Sequence, residues 1–383
     1  MTDNLYDSRV EMFLNAIQGR SSENIPVYLM MDALYAVQMN GKNLKEATYN
    51  PQLVLDGTKK LFEKVYCDGV GNIYTKGAIF YKLMRSKNFV QSEEGFLQHP
   101  EIYTLENDEL DELIADPFKT IAEKVLPRTL GAMDEPFPKN MYNLMKANIG
   151  NSNYLGGLVG GKFALSHKMN VPMVYTNLTK APFDYLGSSV RGFVNILADV
   201  RRTPQKLKDA CEALLPLMEA TAELSFRAPD KSFPFVFLPT LIPHFLQAKQ
   251  FEMLFYPTFK QLLDNLAAKG FNFVIQFEGD WERFYDCLQS LPPKRILGIF
   301  EFGDPALAKK RLGDLMAISG FYPLSLLGMG TEEQCIDKAK EIIDVLAPGG
   351  GYVFSTDKQL LVLRDAKPQN LIAVHEFVHN YSI

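Results

Sequence analysis

The chain alternates between short apolar runs and longer amphipathic stretches. Each apolar run is brief and dense in β-branched or aromatic residues, which is typical of strands that are buried on both faces. The runs that predict strands are residues 25–31, 171–176, 233–238, 271–277, 296–300, 315–319 and 351–354. We expect an eighth strand near residues 66–74, where the apolar pattern is weaker.

The stretches between these runs have the periodicity of helices. In residues 249–269, apolar side chains recur at three- and four-residue spacing, and Gly270 can cap the carboxyl end. Residues 331–346 begin at Thr331, a good N-cap, and have two glutamates in the first turn. Strands that alternate with helices in this way predict a parallel sheet.

Eight parallel strands favour a closed α/β barrel of the (β/α)8 TIM type over an open doubly wound sheet. An open sheet usually has a glycine fingerprint after its first strand, and here the chain reads MDAL from Met31. We therefore predict a single domain over residues 1–383 with a helical insertion in the N-terminal half, at about residues 80–147. Its least regular part, residues 88–107, is expected to be a surface lid or interaction loop.

Composition and charge favour small-molecule chemistry. The chain is 47% hydrophobic and 22% charged, and no run reaches the roughly 18 apolar residues of a membrane helix. The formal net charge of -5 argues against nucleic acid or an anionic membrane as partner, because either requires a basic face. The first residues lack the apolar segment of a secretory signal. We expect a cytoplasmic protein that binds neither nucleic acid nor membrane.

The cysteines fit this expectation. The four of them lie far apart and form no CxxC pair, at Cys67, Cys211, Cys287 and Cys335. The sequence therefore predicts neither a disulfide framework nor a zinc site of paired thiolates.

In a barrel of this type the chemistry lies where strands end and the following loops begin. The polar residues there are mostly carboxylates and hydroxyls, with Lys180 and Arg191 a little further out. We expect a carboxylate-rich mouth with little positive charge. The residues at these strand ends are Met31, Asp32, Tyr175, Thr176, Asn177, Pro239, Thr240, His244, Gln276, Glu278, Asp280, Glu301, Asp304, Gly320, Tyr322, Ser355 and Asp357.

Several longer segments resemble a known family. Residues 243–281 contain a PTFK helix, a KG pair and a strand that ends near GD. Residues 303–355 contain DPALAKKRLGD, PLSLLGMGTEE and LAPGGGYVFS in that order. These motifs resemble the uroporphyrinogen decarboxylase superfamily. Residues 112–128 and 181–207 are similar to its corrinoid-dependent methyltransferase branch, which includes the methylcobalamin:coenzyme M methyltransferases and the O-demethylase methyltransferases.

The resemblance implies one of two activities, tetrapyrrole decarboxylation or methyl transfer. Decarboxylases of the family have an arginine-rich segment after the first strand, which suits a polyanionic substrate. Here residues 30–42 read MMDALYAVQMNGK, with Asp32 at the head and no basic residue before Lys42. The resemblance therefore favours transfer of a methyl group from a small donor, such as an aryl methyl ether, to cobalt in cobalamin carried by a partner corrinoid protein. A decarboxylase and a non-catalytic small-molecule-binding barrel remain as alternatives.

The resemblance also bears on metal binding. The coenzyme M methyltransferases hold zinc on an H-x-C, a glutamate and a late cysteine. The corresponding positions here are Gln276 and Glu278, Glu301 and Gly350, so both thiolates are absent. A thiol substrate needs a soft, thiolate-bound zinc. We expect instead a harder site in which Glu278, Glu301 and His244 hold zinc or another divalent ion as a Lewis acid.

The remaining strand-end residues are expected to act on the substrate. Tyr175, Tyr322 or a protonated Glu278 would supply a proton to the leaving group, and Asp32 is a further catalytic candidate. Three further strand-end residues, Met31, Asn177 and Gln276, are expected to bind the substrate. We expect one cavity to be surrounded by Asp32, Tyr175, Glu278, Glu301 and Tyr322.

One motif is interpreted as structural. Residues 375–379 read HEFVH, formally the zinc-protease signature. The apolar residues around it predict that it packs the last helix against the barrel.

Overall fold

The computed structural model describes residues 5–20, 24–224 and 235–382. Its strands are β1 (Tyr28–Leu29), β2 (Gly69–Val70), β3 (Val90–Gln91), β4 (Leu97–Gln98), β5 (Asn177–Leu178), β6 (Phe235–Thr240), β7 (Asn272–Phe277), β8 (Ile296–Phe300) and β9 (Ala317–Gly320). The predicted strand at residues 233–238 begins outside the described residues, and β6 covers the rest of it.

Five of these strands form one parallel sheet in the order β5-β6-β7-β8-β9. Strands β1 and β2 form a separate parallel pair. Isolated parallel bridges join Val70 to Met173, Ile318 to Tyr352 and Val27 to Phe354. The predicted α/β class with a parallel sheet is confirmed. Parallel pairs and isolated bridges connect the predicted strand positions, and continuous strands form only some of these connections.

The α-helices are α1 (Leu5–Ile17), α2 (Ala33–Met39), α3 (Leu44–Ala47), α4 (Pro51–Phe62), α5 (Ala78–Leu83), α6 (Leu110–Ala115), α7 (Pro117–Thr120), α8 (Leu126–Thr129), α9 (Lys139–Met169), α10 (Pro182–Tyr185), α11 (Phe193–Arg202), α12 (Pro204–Leu224), α13 (Ala248–Gln250), α14 (Tyr256–Ala268), α15 (Tyr285–Leu288), α16 (Pro305–Leu312), α17 (Leu324–Met329), α18 (Glu332–Leu346) and α19 (Pro368–His379). No helix within the described ranges combines the length and apolar character needed to cross a membrane.

Local sequence accounts for the positions of these elements. Every residue of β7 and β8 is buried, as expected for strands covered on both faces. Thr331 is the N-cap of helix α18, and its hydroxyl accepts from the amide of Gln334 in a capping box.

The segment between β2 and β5 is mainly helical. It contains α5 to α9, and α9 extends over 31 residues to Met169, beyond the expected end near residue 147. Residues 88–107 include the antiparallel hairpin of β3 and β4, in which Val90 pairs with Gln98.

The HEFVH motif lies in α19 and packs inward. His375 is 2% exposed, and its Nδ1 donates to the carbonyl of Tyr66 at 2.7 Å. The ring of His379 stacks on Tyr66 at 3.7 Å between centroids. Burial lowers the pKa of His375 to about 4, so the ring stays neutral.

Candidate active site: a lysine-lined cavity and a neighbouring carboxylate cluster

A cavity of about 810 Å³ lies at the carboxyl ends of β1, β5 and β6. Strand-end residues such as Asp32, Tyr175 and Pro239 form one wall, and the β3–β4 hairpin contributes Phe89 and His99. Pockets of roughly 300–1,000 Å³ accommodate small organic ligands. This is the location at which parallel α/β folds bind their substrates.

Asp32 lies on the cavity wall at the start of α2. Its side chain caps the helix by accepting from the amide of Leu34 at 2.9 Å. Burial raises the pKa of Asp32 to about 6, although the contacts with Leu34 and Thr75 and the charge of Lys76 lower it in part. A carboxyl group with a pKa in this range can give up or take a proton near neutral pH.

Tyr175 lies on the same wall. Its ring stacks on Phe237 with 4.6 Å between centroids. Burial and the charge of Asp32 raise the pKa of Tyr175 well above its ordinary value. The phenol therefore stays protonated and can donate a hydrogen bond to a ligand.

Three lysines line the cavity: Lys76 in the loop after β2, Lys162 in α9 and Lys180 after β5. Burial lowers the pKa of each, that of Lys162 to about 8. The expectation of a mouth with little positive charge is therefore wrong, because Lys76 follows the weakest predicted strand and Lys162 comes from a helix. Arg191 does not line this cavity but pairs with Asp199 at 2.7 Å in the interior.

Glu278, Glu301 and His244 lie in a second group, which we call the rim cluster, with Gly279 and Lys358. One oxygen of Glu301 is 2.6 Å from Lys358 Nζ, and the other accepts from the amide of Gly279 at 2.8 Å. Burial alone would raise the pKa of Glu301, but these two contacts hold it below its ordinary value. Burial, reinforced by the charge of Glu301, raises the pKa of Glu278 to about 7.

The backbone of Gly279 places the His244 ring within the rim cluster. Gly279 has φ +73°, and a Cβ at this position would lie 2.6 Å from Cδ2 of His244. Only glycine allows both this conformation and this contact. Burial lowers the pKa of His244, with opposing effects from Glu301 and Arg283.

The structure separates the five residues that we expected around one cavity. Asp32 and Tyr175 share the cavity wall, whereas Glu278 and Glu301 lie in the rim cluster. Tyr322 is fully buried, and its hydroxyl donates to the carbonyl of Cys335 at 3.0 Å. That contact directs its hydroxyl towards α18, so it does not reach the cavity.

The three expected substrate-binding residues are not on the cavity wall. Met31 is 1% exposed in the hydrophobic core. The amide nitrogen of Asn177 donates to the carbonyl of Ala222 in α12, and Gln276 pairs with Ile299 inside the sheet. Side chains alternate between the two faces of a strand, so Met31 and Asn177 point towards the outer helices. Gln276 lies on the inner face with Val274, but it does not line the cavity.

The rim cluster does not fit a metal ion as it is arranged. No group of three or more His, Cys, Asp or Glu side chains in the described part of the chain is placed to hold one. Of the expected ligands, Glu301 is already bound by the Lys358 ammonium and the Gly279 amide. We therefore derive no step from a metal.

The structure is that of an α/β protein with a cavity at the carboxyl ends of strands of its parallel sheet. Residues 165–381, more than half of the chain, match the model of the family described as uroporphyrinogen decarboxylase (URO-D). The chain belongs to that family, and the resemblance to the superfamily is confirmed.

A solved structure has the same fold. A methyltransferase from Methanosarcina mazei is similar with a TM-score of 0.61 and 12% sequence identity, covering 97% of this chain and 98% of that one. At this level of identity the similarity shows a common fold. Comparison with curated proteins found no match.

Asp184 lies close to the cavity, and its burial predicts how the stability of the protein depends on pH. It is fully buried, and its Oδ1 accepts from the amides of Leu241 and Ile242 at 3.1 and 2.9 Å. Burial raises its pKa to about 7 from 3.8, so between these values the folded state binds more protons than the unfolded state. The contribution of Asp184 to stability is therefore greatest below about pH 4, falls as the pH rises to about 7, and is constant above.

We expect Asp184→Asn, which resembles the protonated acid, to remove this dependence. At pH 8 the variant should be more stable than the wild type by about 1–3 kcal/mol, the cost of a buried polar group that is ionised or poorly satisfied. Urea denaturation at pH 5 and pH 8 measures both proteins. If the free energy of unfolding changes by the same amount between pH 5 and pH 8 in both proteins, this role for Asp184 is contradicted.

Proposed function

We propose that this protein is a methyltransferase that moves a methyl group from a small donor in the cavity to cobalt in a corrinoid carried by a partner protein. The observation that carries the proposal is the segment after β1. In a chain of the URO-D family it begins with Asp32 and has no basic residue before Lys42. The fold that the chain shares with a methyltransferase supports it further.

The cavity residues suit the departure of an oxygen leaving group. The corrinoid, when present, would supply the nucleophile that accepts the methyl group. The donor oxygen keeps the electron pair of the broken bond and gains negative charge. Tyr175 can donate a hydrogen bond to that oxygen, and Asp32, with a pKa of about 6, can supply the proton that it takes up. An aryl methyl ether is our preferred donor.

We infer that these parallel pairings close into a (β/α)8 barrel. Each predicted strand position has parallel neighbours, and this supports closure. We interpret residues 1–383 as one domain, with about 80–147 inserted in its N-terminal half.

A direct assay tests the function. Purified protein, cob(I)alamin and a panel of aryl methyl ethers should give methylcobalamin and the free phenol, followed by absorbance and product analysis. Activity should persist after exhaustive chelation, because the rim cluster does not fit a metal. If none of the aryl methyl ethers in the panel gives methylcobalamin, the assay does not support O-demethylation.

A second candidate, a tetrapyrrole decarboxylase, is favoured by one observation. The cavity contains three lysines, which could neutralise substrate carboxylates. Uroporphyrinogen is therefore included in the assay. Release of carbon dioxide at an ordinary enzymatic rate, without methyl transfer, would replace our proposal. If neither methylcobalamin nor carbon dioxide forms, a non-catalytic binding protein is favoured.

A further inference from the structure

We propose that the cavity selects small carboxylates with an apolar body, and that Lys76, Lys162 and Lys180 receive the carboxylate. This inference names the substrate class of the proposed methyl donor, and in that respect it rests on the proposed function. The binding site itself is argued from the cavity alone.

The three lysines come from separate parts of the chain and meet at one cavity. Lys162 is 2% exposed, and its Nζ donates to the side-chain oxygen of Asn72 at 2.8 Å. Burial lowers the pKa of both Lys180 and His99, and the charge of Lys76 lowers each further, while the charge of Asp184 opposes the shift of Lys180. Like charges brought together away from water are unfavourable, so an anion placed among them is stabilised.

The groups in direct contact with Lys76 and Lys180 carry no charge. Lys180 donates to the hydroxyl of Ser188 at 2.7 Å, and the ammonium of Lys76 lies 4.9 Å from the centre of the Phe89 ring. Both partners are neutral. In the described part of the chain, no carboxylate oxygen lies within 4.0 Å of either ammonium.

Two carboxylates also line the cavity, but each is held elsewhere. Asp32 accepts from the amide of Leu34, and Glu101 accepts from the amide of Val194 at 3.1 Å. Three lysines therefore line the cavity with two carboxylates, one of which has a pKa of about 6. Asp184, whose pKa is about 7, acts on Lys180 from beside the cavity. The balance favours a ligand with negative charge.

The rest of the wall explains why the ligand needs an apolar body. The stacked rings of Tyr175 and Phe237 are joined on the wall by Leu178 and Phe193. An inorganic anion would leave this surface uncovered, whereas a ring or alkyl group attached to the carboxylate would bury it.

Isothermal calorimetry with the full chain tests the proposal, using benzoate, benzamide and inorganic phosphate as probes. Benzoate should bind the wild type at least about 10-fold more tightly than the neutral benzamide. Each of Lys76→Met, Lys162→Met and Lys180→Met should weaken benzoate binding by about 10- to 100-fold, the usual effect of losing a charge-assisted hydrogen bond. Lys59→Met is the matched control, because Lys59 is exposed on α4 and should leave binding unchanged.

Thermal melting checks that each variant is folded, and Lys162→Gln replaces Lys162→Met if the latter does not fold. Benzamide binding as tight as benzoate would overturn the proposal. So would benzoate affinity that is unchanged in the lysine variants, no binding of benzoate, or tighter binding of phosphate than of benzoate.

This experiment contains no corrinoid, so its failure is separate from that of the proposed function. Lysine-dependent benzoate binding without any methyl transfer would keep the carboxylate site and remove the methyltransferase. Equal methyl transfer from donors with and without a carboxylate would keep the methyltransferase and remove the carboxylate site.

Discussion

Replacing Trp281 with alanine is expected to lower the free energy of unfolding by about 3–5 kcal/mol. The Trp281 side chain is fully buried and touches aromatic rings on several sides. Its ring centroid is 4.8 Å from that of Phe277 and 5.7 Å from those of Phe251 and Phe284. Alanine would leave a cavity that rigid neighbours cannot fill.

The same residue connects the core to the rim cluster, because Trp281 Nε1 donates to the carbonyl of Glu278 at 2.9 Å. Trp281→Phe keeps most of the packing but loses this bond, so we expect a smaller loss of about 1–2 kcal/mol. Phe302→Ala is a suitable control, since Phe302 is 63% exposed and should change stability by less than about 0.5 kcal/mol. Urea denaturation compares the three. A loss below about 1 kcal/mol in Trp281→Ala would contradict the packing role.

The sequence predicts strands well where both faces are buried. The prediction for residues 296–300 matches β8, and that for 271–277 differs from β7 by one residue. At residues 25–31 and 351–354 the regular strand is shorter or absent, because Val27 and Phe354 meet only through an isolated bridge. Apolar runs indicate burial, but not how many ladder hydrogen bonds form.

The helix predicted over residues 249–269 shows a second limit. It consists of α13, a π-helical turn at Phe251–Phe255 and α14. Pro257 near the start of α14 has no amide hydrogen and cannot continue the regular hydrogen-bond pattern. The apolar period is unaffected by this local change, so the period alone could not reveal it.

The site could be predicted only in part. Strand ends identified Asp32 and Tyr175, because the carboxyl ends of parallel strands meet at one edge. Lys76 was missed because the strand before it has a weak apolar pattern, and Lys162 was missed because it lies in α9. A signal for Lys162 does exist, since Leu158 and Leu165 lie four residues before and three after it on the buried face of the helix. A lysine on an apolar helix face indicates either a buried partner or a ligand.

Asp32→Asn is expected to lower kcat/KM for methyl transfer by about 100-fold or more, the usual effect of removing a general acid. Asparagine caps a helix as well as aspartate does, so α2 should keep its N-cap, and stability should change little. The loss would therefore report chemistry and not folding.

The pH dependence separates this role from a structural one. Burial raises the pKa of Asp32 to about 6, so the protonated acid is lost as the pH rises through that value. Wild-type kcat/KM should fall above about pH 6, and the Asp32→Asn profile should be low and flat there. Tyr175→Phe should lower the rate through loss of its hydrogen bond but keep the falling limb, because Asp32 is intact. A Tyr175→Phe profile without that limb, or an Asp32→Asn rate within about threefold of the wild type, would show that Asp32 does not supply the proton.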